Sequence, residues 1–405
     1  MSVSRVFGRD FVLLCLVSLG FFSSFFFFFP TLPFYIKQLG GREADVGLLI
    51  GISSLVSFAI KPFAGRWADR YGRVVMMTAS VGLFACGAVL HAWALSIGLL
   101  FGLRLVYGFA LGCFTTASGA YLADVAPADR RAEATSYWGL VNSLAMGVVP
   151  PLALGIMHSP ALHPWEEGLV GLLPGLSQKV GWPDNFTLLF FTAAAVAFLA
   201  SGLSSHLRER HRLAAPPAGR QFFAPEAVLP MVVQLCLYLT FTSYTTFLPL
   251  YARTFGLDNA GYLYSSYALV LVATRMLSAR LGDRYGRAAV IVPGFVLALI
   301  AQLVFAFAWD VQALYLGVSV YAMGIGLAQP GLGALMIDRL TPERRGLGMA
   351  TFAQGLDLGM GLGGVLMGSI ASQAGFTPMY VCGSGCLAVG LVIFLFGSQR
   401  PQAGS

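Results

Sequence analysis

The stretch G-R-W-A-D-R-Y-G-R at 65–73 returns as A-R-L-G-D-R-Y-G-R at 279–287, 214 positions further along a chain of 405 residues. A match in both sequence and register means that whatever fold one half takes, the other must take too. The same offset carries Lys61 onto Arg275, Tyr107 onto Tyr321, Gly112 onto Gly326, Asp124 onto Asp338, and Arg130-Arg131 onto Arg344-Arg345. The halves are expected at 1–205 and 226–405. They are joined by a linker at 206–225 that concentrates Arg, Ala and Pro.

The repeated unit must be mostly out of water. Hydrophobic residues make up 57% of the chain and charged ones 11%, whereas a soluble domain carries about 25% charged residues. Mean hydropathy is +0.75. A spanning helix needs roughly 20 apolar residues. Stretches of that kind fall near 11–35, 45–64, 75–95, 97–121, 134–157 and 186–205, then near 227–251, 259–279, 288–308, 312–336, 347–371 and 377–397. The expected fold is all-α and integral to the membrane, with twelve transmembrane helices in two six-helix bundles. The first stretch is not expected to be a cleaved signal peptide, because its apolar run continues through Phe25–Phe34 with no small-residue cleavage site.

With the N-terminus inside, only Lys37, Arg42, Lys179 and Arg253 are basic residues of outer loops, against eighteen on the inner side. The positive-inside rule then places both termini in the cytoplasm. The formal charge of +7 is a topological signal toward anionic lipid, and no nucleic-acid partner is expected. The six cysteines lie in apolar helices without a C-x-x-C pair and read as small core residues. No metal cluster, P-loop or Ser/His/Asp spacing is present, so neither an enzyme nor an ATP-driven pump is expected.

The two charged loops resemble the signature of the major facilitator superfamily. Gly65, Asp69, Arg70, Gly72 and Arg73 match its loop between helices 2 and 3, echoed by Asp283, Arg284, Gly286 and Arg287. The resemblance covers essentially the whole chain. It implies a transporter in which two six-helix halves alternate access to a site, driven by an ion gradient without a cofactor. With Lys61, Arg275, Asp124 and Asp338, these loops are expected to gate the cytoplasmic side through charge-assisted hydrogen bonds and helix ends.

Two ionisable residues lie well inside apolar helices. An unpaired charge there costs about 2.5 to 3.5 kcal/mol on insertion scales, so Asp357 and Arg104 must face protein or a water-filled cavity. Burial penalises the charged form of a carboxyl group, which makes Asp357 the candidate proton carrier. The segment R-L-V-Y-G from Arg104 resembles the helix-4 motif of proton-coupled members, with Tyr107 where Gln is usual. Gly139, Gly147, Pro150 and Gly155 partly match the helix-5 motif of exporters. This places the chain nearest the drug/proton antiporter branch.

Candidates for the cavity wall are Ser24, Tyr107, Thr115, Asn142, Gln234, Tyr238, Thr242, Tyr267, Gln329 and Gln354, a set suited to an amphipathic organic solute. In helix 11, Gly355, Gly359 and Gly363 are spaced for close backbone approach. The outer loop at 158–185 is expected to lie on the membrane surface or cap the outer mouth. The expected protein is a monomer in a bacterial-type inner membrane, whose partners are lipid, a small-molecule substrate and protons. Uptake symport of a metabolite, lipid or lysolipid translocation, and a non-transporting receptor remain open alternatives.

Overall fold

The computed structural model describes residues 8–127, 130–176, 179, 181–209, 224–341 and 344–398. Residues 210–223 of the expected linker lie outside that set. Among the described residues there is no strand. In lipid every backbone polar group must be satisfied within its own segment, and long helices do this.

The first of them are α1 (Arg9–Gln38), α2 (Glu43–Tyr71), α3 (Arg73–Leu90), α4 (Ile97–Val125), α5 (Arg131–Met157), a short α6 (His163–Leu172) and α7 (Phe186–Ser204). There follow α8 (Val228–Thr242), a π-helical turn (Ser243–Phe247), α9 (Leu248–Arg253), α10 (Gly261–Tyr285), α11 (Ala288–Ala306), α12 (Val311–Asp338), α13 (Arg345–Ala374) and α14 (Phe376–Ser398).

Among the described residues eleven helices are long and apolar enough to cross a membrane, one of them running through α8, the π turn and α9. The remaining expected span, α10, falls short, because Tyr262, Tyr264, Ser265, Ser266, Tyr267 and Arg275 lower its hydropathy. Leu199, Leu269 and Phe396 each stand more than 70% exposed, as lipid-facing side chains would.

The chain forms two compact units, one of residues 1–40 with 56–218, the other of 41–55 with 219–405. The stretch 41–55 joins the second unit through glycine. A Cβ on Gly51 would lie 3.4 Å from Val365 Cγ2, and one on Gly368 would lie 2.8 Å from Gly47 Cα.

The repeat survives at atomic detail. A Cβ on Gly112 would stand 2.9 Å from the Ser57 carbonyl oxygen, and one on Gly326 would stand 3.4 Å from that of Leu271, the residue 214 positions after Ser57. The N-terminal caps repeat as well. Leu99 N–H donates to Ser96 Oγ at 3.2 Å to start α4, and Ala313 N–H donates to Asp310 Oδ1 at 2.7 Å to start α12. Each cap satisfies a donor that the first turn leaves unpaired.

The segment 158–185 contains a folded part. Glu166 of α6 is 4% exposed, and its carboxylate accepts from Thr187 N–H at 2.8 Å and Leu188 N–H at 2.6 Å. An acidic residue at a helix N-terminus meets both the free donors and the positive end of the macrodipole, so α6 is pinned to the start of α7.

Candidate functional site

Each charged loop is a break between two long helices, made possible by a glycine. Gly72 has φ +101° and Gly286 φ +89°, a region that side chains with a Cβ avoid. Around each break one arginine gathers two carboxylates. Arg73 pairs with Asp69 at 3.7 Å and with Asp124 at the end of α4, and it donates to the Ala120 carbonyl at 2.8 Å. Arg287 pairs with Asp283 at 2.7 Å and with Asp338 at the end of α12 at 2.8 Å. These bonds hold the Arg287 guanidinium even more firmly protonated than usual.

The neighbouring arginines repeat too, with Arg70 5.4 Å over the Tyr71 ring and Arg284 5.1 Å over the Tyr285 ring. Eight of the expected gate residues thus form two matched clusters, with Gly72 and Gly286 as their turns. The first has an addition that sequence reasoning missed. Glu209, at the start of the linker, accepts from Val74 N–H at 2.9 Å and caps α3. Gly65 has room around it, the nearest atom to a Cβ there being Thr116 Cγ2 at 3.9 Å. Lys61 is half-buried.

Arg275, expected at the gate, instead donates through Nη2 to Gln329 Oε1 at 2.7 Å. Gln329 is a cavity candidate, and two others, Tyr238 and Tyr267, lie within electrostatic reach of Arg275. Beyond them Tyr267 stacks on Tyr244 with ring centroids 4.6 Å apart, and Tyr264 lies 5.4 Å from Tyr244. Tyr244 stands in the π-helical turn, a distortion often found at functional sites. The Tyr264 hydroxyl donates to the Thr245 carbonyl of that turn at 2.6 Å.

In the first unit Arg104 is 3% exposed, and its guanidinium carbon stands 4.7 Å from the Tyr107 ring centroid. His91, fully buried, lies 4.9 Å from that ring, and its Nδ1 donates to the Gly87 carbonyl at 2.7 Å. A carbonyl can only accept, so Nδ1 carries a proton. Phe190 links His91, at 5.6 Å, to the Lys179 ammonium, at 5.5 Å. Lys179 also lies 4.9 Å from the Tyr35 ring centroid and 5.5 Å from that of Trp182. Burial pushes the Lys179 ammonium down to about 8, against the opposing pull of Glu166. The sequence marks Lys179 only as an outer-loop charge.

Asp357 is 4% exposed in α13, between two close approaches to α8. A Cβ on Gly355 would lie 2.5 Å from the Met231 carbonyl oxygen, and one on Gly359 would lie 2.7 Å from that of Leu235. Gly363 meets Leu239 in the same way. The glycine spacing does serve backbone approach, with the buried carboxyl beside that seam.

The remaining candidates are scattered. Ser24 donates to the Ala193 carbonyl at 2.8 Å, Thr115 to Leu111 at 2.8 Å, Thr242 to Met360 at 3.1 Å and Gln234 to Phe352 at 3.2 Å. Gln354 is buried and Asn142 half-buried. Along α5, Pro150 lies within the helix, while a Cβ on Gly139 would meet nothing within 4 Å. Close packing is therefore not what a glycine at 139 provides. Among the described residues no group of three or more His, Cys, Asp or Glu could hold a metal ion.

A family model described as Major Facilitator Superfamily matches residues 14–263 and 231–405. The chain is 24% identical over 391 residues to the staphylopine export protein of Staphylococcus aureus, covering 95% of each chain. It is 27% identical over 394 residues to a multi-drug resistance efflux pump PmrA homolog of Lactococcus lactis, covering 93% of this chain and 92% of that one. Among solved structures, a bacterial homolog of the human lysosomal transporter Spinster superposes with TM-score 0.81 at 15% identity, over 99% of this chain and 100% of that one.

Proposed function

The chain belongs to the Major Facilitator Superfamily, and we propose that this transporter exports a small amphipathic organic solute in exchange for protons. The observation that carries the coupling is the pair Asp357 and Arg104, 4% and 3% exposed within apolar helices. Ionisable groups at that depth are costly and mark pathways for ions, protons and substrates. Asp357 binds and releases the proton, and Arg104 sets the field within its own unit's interior.

Export over uptake is supported by two relatives, an export protein and an efflux pump homolog, each matched over more than 90% of both chains. The two arginine-carboxylate clusters gate the cytoplasmic side, and the concentration of Lys and Arg in the loops that hold them supports cytoplasmic termini. The protein works as a monomer in a bacterial-type plasma membrane, without a cofactor.

The test is a panel of cationic, neutral and anionic amphipaths loaded into proteoliposomes with an imposed pH gradient, beside Asp357→Asn and Arg104→Ala. Gradient-driven flux of at least one solute, lost in Asp357→Asn, is expected. Full proton dependence in Asp357→Asn would remove that residue from the coupling.

A further inference from the structure

We propose that the aromatic box of Tyr35, Trp182 and Phe190 in the first unit is a binding site for a quaternary organic ammonium ion, filled in this structure by the Lys179 side chain. The inference deepens the transport reading above by naming the chemical class of the solute, and it rests on that reading only for the solute's fate.

The box stands at the end of the first unit away from its charged loop, where the last turns of α1, the first turns of α7 and the turn before α7 converge. The Lys179 ammonium lies 4.9 Å from the Tyr35 ring centroid and 5.5 Å from those of Trp182 and Phe190. All three fall inside the roughly 6 Å over which a ring face attracts a cation, the arrangement that recognises quaternary ammonium ligands. The walls are set against one another. By ring centroids Tyr35 lies 5.0 Å from Phe190, 5.8 Å from Trp182 and 4.9 Å from Phe186. The Tyr35 hydroxyl is engaged by backbone, donating to the His91 and Ala94 carbonyls at 3.4 and 3.3 Å, so this residue meets the ammonium with its ring.

Lysine suits this box poorly. Lys179 is 3% exposed, and its Nζ has no hydrogen-bond partner among the described residues. An ammonium carries three donors, and burying donors unbonded is costly. Ring faces answer the charge but not the N–H groups. A quaternary ammonium has no N–H to leave unbonded and presents methyl groups to the rings, so the same walls satisfy it fully.

The occupant can also leave. Lys179 sits on a tight turn in which Trp182 N–H donates to its carbonyl at 3.0 Å and Gly181 has φ +81°. Trp182, the wall carried by that turn, is partly exposed. Three sets of groups act on the charge. Glu166 of α6, held by Thr187 and Leu188 N–H, favours the charged lysine. His91 at the end of α3 lies 5.6 Å from the Phe190 ring, and Asp184 beyond the turn pairs with His158 at 3.7 Å. Phe186 and Phe190 of α7 carry no charge. Burial outweighs Glu166 and brings the ammonium down to about 8. Below that pH the charged lysine holds the box against a cation, and above it the neutral amine gives the ring faces up.

The experiment is calorimetric titration of the full-length protein in detergent and amine-free buffer, at pH 7 and at pH 9.5. The probes are choline and its neutral isostere with carbon in place of the quaternary nitrogen. Choline is expected to bind and the isostere is not. About nine-tenths of a lysine titrating at that pH is charged at pH 7, and the apparent affinity scales with the competent fraction. Wild-type protein should therefore bind choline about tenfold more tightly at pH 9.5. Lys179→Ala should bind it equally at both pH values, and Trp182→Leu should lose the binding.

The wild-type pH series decides by itself, so the test does not depend on either variant folding. If Lys179 only braces its turn, wild-type protein will not bind choline at pH 9.5, will bind the isostere as well, or will bind choline alike at both pH values. Each of these results overturns the proposal. No proton gradient enters the titration. A protein that binds choline with this pH dependence yet shows no gradient-driven flux would defeat the export reading and leave this site standing. Gradient-driven flux without ammonium binding would do the reverse.

Discussion

His91, Arg104 and Tyr107 of the first unit stand at the repeat positions of Phe305, Val318 and Tyr321 of the second. Both tyrosines are buried, but their company differs. Tyr107 has Arg104 at 4.7 Å and His91 at 4.9 Å, whereas Tyr321 has Tyr244 at 5.7 Å and Phe305 at 6.5 Å. The loops at the other end of each unit, by contrast, repeat residue for residue: Arg73 with Asp69 and Asp124, Arg287 with Asp283 and Asp338. The duplicated loops have stayed alike. The interiors differ, with buried cations in one and stacked tyrosines in the other.

The largest effect is expected from making the first interior like the second. Arg104→Val should abolish gradient-driven flux while the protein still folds and melts cooperatively, because valine fills the position as it does at the repeat site Val318. Flux and melting measured on one preparation check this, and retained flux would show that the division is one of packing only.

Next come the matched helix crossings. Gly112→Ala must displace the Ser57 carbonyl at 2.9 Å and Ile60 as well, whereas Gly326→Ala meets its nearest backbone oxygen at 3.4 Å and the Thr274 Cβ at 2.8 Å. Overpacking costs about 1 to 3 kcal/mol, and the first substitution should sit at the upper end. Equal thermal shifts would mean that the two crossings are more alike than these contacts imply.

A smaller asymmetry is expected at the gates. The Arg73 side chain is 13% exposed and that of Arg287 28%, and exposure screens an ion pair. Arg73→Gln should therefore slow transport more than Arg287→Gln, as initial rates in proteoliposomes would show.

The smallest effect concerns Lys179, which has no counterpart cluster among the described residues of the second unit. Its folded pKa of about 8 lies below the ordinary lysine value, so the charged form is disfavoured by folding. Between pH 8 and the ordinary value the unfolded chain holds more protons, and stability rises with pH across that window. Lys179→Met should raise the melting midpoint by about 2 °C at pH 7, and the gain should shrink as pH rises toward 10. A constant gain would place the benefit in packing instead of charge.

What could be read from the sequence was whatever the chain states locally or periodically. The apolar spans near 97–121 and 186–205 correspond to α4 and α7, and the 214-residue offset anticipated the crossings at Gly112 and Gly326. Glu166 escaped notice because its partners, Thr187 and Leu188, lie more than twenty residues away and are backbone groups, which carry no side-chain signature. Lys179 escaped because a loop cation gives no sign that three rings from α1, α7 and its own loop will enclose it. The partner of Arg275 escaped for a related reason. Its alignment with Lys61 suggested a shared gating role but no partner, and Gln329 sits on another helix, so only the packing of α10 against α12 brings the two together.

The central claim is that proton movement through Asp357 drives flux. It is tested most directly by measuring flux of the amphipath panel in proteoliposomes of the wild-type protein and Asp357→Asn, with the pH gradient imposed and then collapsed by a protonophore. The account predicts wild-type flux that falls away when the gradient collapses, and a variant whose flux no longer responds to it. Wild-type flux indifferent to the protonophore, or an Asp357→Asn protein with full proton dependence, would contradict it.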